Sequence, residues 1–149
     1  MWTSSQRVRL AVEQKLVNRE FPDFSMSWWE NVAQFEGWHS PIGSGWYQLR
    51  LFLPPHYPDQ APNLYVVNPN PLLKRCGCCS INAEQRSHSF HTWENGPNGC
   101  VQICHNRFWD ASQTSVLVIL KGILWLRAYE AYWATSRPIA EFMRTDGSL

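Results

Sequence analysis

The side chains of this 149-residue chain best suited to nucleophilic or metal chemistry are five cysteines and five histidines. Cys100 sits in Asn98-Gly99-Cys100-Val101-Gln102-Ile103, late in a long irregular stretch, and Cys104 follows four residues later. A thiolate is a strong nucleophile and a soft metal ligand, so a reduced loop cysteine here is a candidate for catalysis or metal binding. Ordinary packing is the competing explanation, because free cysteines are often core residues. His91 suits loop support by hydrogen bonding better than proton transfer. His105 and Asp110 lie near in sequence and have the chemistry to orient or deprotonate an incoming nucleophile, but solvation at the surface accounts for them better.

Cys76-Gly77-Cys78-Cys79 is a second concentration of thiols. Cys76 and Cys79 have Cys-x-x-Cys spacing and, paired with His88 and His91, are conceivable as zinc ligands. A cysteine-bearing loop without metal is the simpler expectation, and no metal or cofactor is assigned. The odd number of cysteines, three of them crowded together, does not suit a secreted disulfide framework.

The elements that must position these groups follow from composition and period. With 44% hydrophobic residues the chain has enough apolar content for one core, and residues 1–149 are expected to form a single domain. A formal charge of +1 with scattered basic residues argues against a nucleic-acid partner held by phosphate contacts. No apolar run is long enough to span a bilayer, and Met1-Trp2-Thr3-Ser4-Ser5 is not a secretory start; the expected location is the cytoplasm, with no membrane partner. Nine tryptophans suggest an aromatic core or a docking patch, with Trp28, Trp29 and Trp38 as its candidates.

Val8, Val12 and Leu16 predict a helix from Ser4 or Ser5 to about Val17, capped by serine, with Arg7, Arg9, Glu13 and Lys15 on or near its wet face. Residues 24–38 suit extended structure, and Ser40–Gly45 is a turn by composition. Trp46–Leu53 alternates as a strand, with Tyr47, Leu49, Leu51 and Leu53 on one side. Leu64–Val67 gives another. Residues 68–99 lack periodicity, and a stretch of that length inside a compact domain is usually functional. A long helix follows over Ser115–Thr135, capped by Ser112 or Thr114, with Leu117, Leu120, Leu124, Ala128 and Ala131 at buried spacing. Ile139–Met143 adds a last turn. Helix, strands, loop, helix is the order of an α+β domain with an antiparallel sheet.

Between the two clear strands stands Leu53-Pro54-Pro55-His56-Tyr57-Pro58-Asp59-Gln60-Ala61-Pro62, where the prolines demand a stiff turn. Strand, Tyr-Pro-x-x-x-Pro turn, strand, a loop with Gly99-Cys100, then Trp109 and a long helix: this order resembles the ubiquitin-conjugating enzyme family, from the first helix to about Met143. The aromatic two residues beyond His91 and the run Trp125-Leu126-Arg127-Ala128-Tyr129-Glu130-Ala131-Tyr132 look like its divergent bacterial members, encoded beside ubiquitin-like and activating-enzyme genes in antiviral defence operons. The resemblance implies an N-terminal helix, a four-stranded antiparallel meander and C-terminal helices. It also implies transthiolation: an activating enzyme delivers a ubiquitin-like protein as a thioester onto Cys100, and an amine of a protein target or another nucleophile attacks it. Cys104 is the rival acceptor, since Ile103-Cys104 also imitates the family's apolar-Cys pair. His91 and Asn98 would support the site. Family members usually carry His-Pro-Asn before the cysteine; the nearest equivalent, His91-Thr92-Trp93, has no Asn in place, and Asn95 and Asn98 are the candidates for the oxyanion donor that the resemblance implies. Cys100 to Trp109 is one residue longer than the common spacing. These departures also suit an inactive scaffold of the same fold that binds the modifier or the activating enzyme. Arg7, Arg9 and Lys15 are the implied contacts for that enzyme.

Overall fold

The computed structural model describes residues 1–43 and 45–144. Ser44, in the turn expected over Ser40–Gly45, lies outside the described residues. An N-terminal helix α1 (Ser4–Glu20) precedes strands β1 (Phe24–Trp29), β2 (Val32–His39), β3 (Tyr47–Leu53) and β4 (Asn63–Asn68). The short strands β5 (Thr92–Trp93) and β6 (Val101–Ile103) come next, then helices α2 (Ser115–Thr135) and α3 (Ile139–Met143). The sheet is antiparallel with strand order β1-β2-β3-β4-β6-β5. It has six strands rather than the four expected. The first four do form a meander; β5 and β6 are two and three residues long, too short to show alternation in the sequence.

Leu49, Leu51 and Leu53 of β3 face the core with Leu64 and Val66 of β4 and Val101 and Ile103 of β6. Val118, Ile119, Ile123, Trp125 and Leu126 of α2 cover that face. Gly122 is where the helix comes closest: a Cβ there would stand 2.6 Å from Leu64 Cδ2. The buried face of α2 therefore runs through Val118, Gly122 and Leu126, and Leu120, expected inside, is exposed. Its cap is Thr114, whose hydroxyl accepts from Leu117 N at 3.3 Å.

Helix α1 departs more sharply from its periodicity. Leu10, Glu13 and Val17 are its buried residues, while Val8 and Val12 are exposed. Steps of four drift around a helix by about 40° each, so the Val8-Val12-Leu16 row is not one seam. Its cap is Thr3, in a reciprocal capping box with Gln6 rather than a serine cap. Glu13, expected on the wet face, has 0% exposure. Its carboxylate accepts from the Tyr57 hydroxyl, from Arg9 Nε at 2.8 Å and from Ser115 N at 2.9 Å. A buried charge is tolerated only when paired and hydrogen-bonded. This one ties α1, the proline turn and the N-terminus of α2 together. Arg9 also donates to Ala111 O at 2.8 Å and Gln113 O at 2.6 Å, so its guanidinium is committed within the chain. Arg7 and Lys15 are exposed.

No helix among the described residues is long and apolar enough to cross a membrane.

Candidate active site

The segment before β6 is a tight turn. Gly96 N donates to Cys100 O at 2.9 Å and Gly99 N to Gly96 O at 3.1 Å, with a short 3-10 turn over Pro97–Gly99. Asn98 and Gly99 both take positive φ, 58° and 71°, the left-handed region that Asn and Gly accept at least cost. Gly96 lies against the Tyr65 ring: a Cβ on it would stand 2.1 Å from Tyr65 Cε1. The Asn-Gly-Pro-Asn-Gly composition of residues 95–99 is thus what lets the chain fold back over β4 and present Cys100 at the start of β6.

A chain of carboxamides holds that turn. Asn82 Oδ1 accepts from Leu72 N at 2.8 Å, and because a backbone N–H can only donate, the orientation of this amide is determined. Its Nδ2 then donates to Gly99 O at 2.7 Å and to Asn70 Oδ1 at 2.9 Å. That in turn orients Asn70, whose Nδ2 donates to Asn98 O at 3.1 Å and reaches Cys100 Sγ at 3.5 Å. Asn95 Nδ2 donates to Asn82 O at 2.8 Å and steadies the network from the other side.

Cys100 is 5% exposed. Burial pushes its thiol up from the ordinary value, opposed by the positive charge of Arg50. Arg50 lies on the outer face of the sheet, ion-paired with Glu36, and Gln48 Nε2 donates to Glu36 at 2.6 Å. Tyr65, paired across β3 and β4 with Arg50, forms an edge-to-face contact with Phe52 at 5.7 Å, and Phe52 does the same with Trp29 at 6.1 Å. What the arrangement offers chemically is a buried thiol beside one fixed N–H donor, with the Arg50 cation offsetting part of the upward shift that burial causes.

Of the residues singled out from the sequence, Asn98 contributes its backbone carbonyl to the turn, and the carboxamide at the sulfur belongs to Asn70. The sequence does carry a signal for it: Asn68-Pro69-Asn70-Pro71 follows directly on the end of β4. Looking for the donor just upstream of the cysteine passes it by, because Asn70 and Cys100 are 30 residues apart. Asn95 clamps Asn82 instead of facing the thiol.

His91 stands elsewhere. It takes φ 56°, and its carbonyl accepts from Cys104 N at 3.0 Å. Together with Cys104, Arg86, His88, Arg107 and Arg144 it lines a cavity of about 620 Å³. Its Nε2 is buried and finds no hydrogen-bond partner among the described residues; burial and nearby His88, Lys121 and Arg144 hold its pKa below the ordinary value. Cys100 and Cys104 flank β6 at its two ends, about 13 Å apart along an extended chain. His105 is buried, with Nε2 2.7 Å from Pro62 O, and burial lowers its pKa. It packs edge-on against Trp109, whose Nε1 donates to Pro58 O at 2.6 Å. Asp110 accepts from Ser112 N at 2.8 Å in the turn before α2. Neither His105 nor Asp110 shares the hydrogen-bond network of Cys100. The tryptophans separate too: Trp28 meets Trp2 edge-on at 5.6 Å, whereas Trp29 joins the aromatic row of the outer face; with Trp38, all three are exposed.

Among the described residues, the thiols that come together as a group are Cys76, Cys78 and Cys79; neither His88 nor His91 belongs to it. No family model, no curated protein and no solved structure matches the chain.

Proposed function

We propose that this protein is a conjugating enzyme of the ubiquitin-conjugating type, which carries a ubiquitin-like protein as a thioester on Cys100. The observation that carries the reading is the oriented Asn70 carboxamide, with Nδ2 3.5 Å from Cys100 Sγ. An N–H donor locked beside a nucleophilic sulfur is what an acyl transfer needs when charge develops on the carbonyl oxygen.

In the loading step, the Cys100 thiolate attacks the thioester carbonyl presented by an activating enzyme. The carbonyl oxygen becomes an oxyanion, which the Asn70 N–H stabilises. Collapse expels the activating enzyme's thiolate and leaves the modifier on Cys100. In the second step a neutral amine of a protein target attacks the new thioester, the same donor meets the same oxyanion, Cys100 leaves as thiolate, and the proton lost by the amine nitrogen passes to solvent. Among the described residues the hydrogen-bond partner of the sulfur is an amide and not a base, which suits a reaction between a thioester and an amine that needs position more than proton abstraction. Arg7 and Lys15 remain the contacts on α1 for the activating enzyme. Arg9 is withdrawn from that role, since its donors serve Glu13, Ala111 and Gln113.

A second reading, an inactive scaffold of the same type that binds the modifier or the activating enzyme, is favoured by the 5% exposure of Cys100 and its raised pKa. A thioester trap separates them. The protein, its cognate activating enzyme, the ubiquitin-like protein and ATP are incubated and resolved without reductant. The expected result is an adduct lost on reduction, and made reductant-resistant in Cys100→Ser. If the activating enzyme is charged and no adduct forms, the scaffold reading replaces the enzymatic one; an ester that forms only in Cys104→Ser moves the acceptor there.

A further inference from the structure

Cys76, Cys78 and Cys79 play no part in the site around Cys100. Their three Sγ atoms nonetheless lie within 4.8 Å of one another, and Cys78 Sγ and Cys79 Sγ are 3.7 Å apart. Around a zinc ion with tetrahedral angles and Zn–S bonds of about 2.3 Å, thiolate sulfurs stand about 3.8 Å apart. The cluster therefore needs only a small contraction to close on such an ion.

The backbone that carries these thiols is already organised. Residues 72–81 form a hairpin: Leu73 bridges Ser80, Ile81 N donates to Leu72 O at 2.8 Å, and Lys74 N donates to Cys79 O at 2.8 Å. Gly77, with φ 75°, turns the tip, and Gly77 N donates to Lys74 O at 2.8 Å. Arg75 fastens the hairpin to the end of α2, its backbone N–H donating to the Tyr132 hydroxyl and its Nε to Trp133 O, both at 2.9 Å. All three cysteines are exposed, so an ion from solution reaches them without unfolding.

We propose that this hairpin is a zinc site in which Cys76, Cys78 and Cys79 supply three thiolates and the fourth position stays open to water. Binding releases three protons, one from each thiol, and leaves a centre of net charge −1, since three thiolates outweigh the dication. Lys74, ion-paired with Glu84, also has Cys79 among its electrostatic partners and is the cation nearest the centre in sequence with such a coupling. Soft thiolates select zinc over the hard cations magnesium and calcium.

The test uses the full chain, reduced with a phosphine, incubated with zinc sulfate, desalted and analysed for metal by mass spectrometry. Roughly one zinc per chain is expected, as is a rise in melting temperature on loading. Cys79→Ser and the triple serine variant should both lose the metal, while Cys100→Ser and Cys104→Ser should keep it. Cobalt(II) in place of zinc should show intense sulfur-to-metal charge-transfer absorption. Because the three side chains are exposed, the serine variants are expected to fold, and circular dichroism checks that they do. Zinc at the level of the triple variant overturns the proposal. So does retention in the triple variant with loss in Cys100→Ser, which would place the metal elsewhere. A reduced hairpin that refuses zinc and closes to a Cys76–Cys79 disulfide in air would make the cluster a redox pair instead.

Discussion

The two ends of β6 carry a cysteine each, and their surroundings differ in kind. Cys100 enters the strand from a turn held by Asn70, Asn82 and Asn95, uncharged amides whose orientations follow from one another. Cys104 leaves it toward a cavity lined by Arg86, Arg107, Arg144 and two histidines. Burial raises both thiols above the ordinary value, so the direction of the shift is common to them. What separates them is the donor: Asn70 aims an N–H at one sulfur, and the cationic end attracts anions without presenting a comparable fixed amide at Cys104 among the described contacts.

The largest effect expected from breaking this contrast is at the sulfur itself. Cys100→Ala should abolish thioester formation in the gel assay, whereas Cys104→Ala should leave it near the parent level. Equal loss in both would dissolve the distinction.

Next comes the donor. Asn70→Ala should slow transfer from preformed thioester to a free amine by about 10²–10³-fold, the usual cost of removing one oxyanion donor. Asn82→Ala, which removes the group that orients Asn70 and holds Gly99 O but leaves the donor at the sulfur, should slow it less, and both are to be followed by single-turnover discharge. An Asn70→Ala variant that discharges at the parent rate would reduce that residue to a loop support.

The pH dependence is smaller in range. A thiol pushed above its ordinary value is protonated at neutral pH, and its thiolate fraction rises about tenfold per pH unit until the pKa is passed. Iodoacetamide labelling of Cys100, read by mass spectrometry in the Cys104→Ala background, should therefore keep climbing through pH 9 with no plateau near 8. A plateau at pH 7 would mean a thiolate already stabilised in the resting protein.

The smallest effect, and the sharpest for the comparison, is a pair of charge removals. Arg50 opposes the upward shift of Cys100, and Arg86 that of Cys104. Arg50→Gln should slow labelling of Cys100 modestly and leave Cys104 alone; Arg86→Gln should do the reverse. Cross-talk between the two ends would show that β6 does not insulate them.

Much of this molecule was decided locally. The alternation of Tyr47-Gln48-Leu49-Arg50-Leu51-Phe52-Leu53 makes β3, because period two is the geometry of a strand with one wet face. The apolar run after Thr114 makes α2 with the bounds expected, and the prolines of residues 54–62 prevent a hairpin ladder there. Asn98-Gly99 before Cys100 marks a left-handed turn in the sequence itself.

Contacts between distant segments decided the rest. Glu13 is indistinguishable by type from an exposed helical glutamate; only the meeting of Tyr57, Arg9 and Ser115 N makes its burial tolerable. Arg9 lost its freedom in the same event. His91, close to Cys100 in number, was carried to the other end of β6 by the β5–β6 pairing, in which Thr92 stands opposite Ile103. Asn70, far away in number, was brought to the sulfur because β4 and β6 are neighbours, with Val66 opposite Val101. Strand pairing brings residues together by register and not by distance along the chain. That is why the turn around Cys100 was legible in the sequence, while the meeting of Asn70 with its sulfur was decided by the sheet.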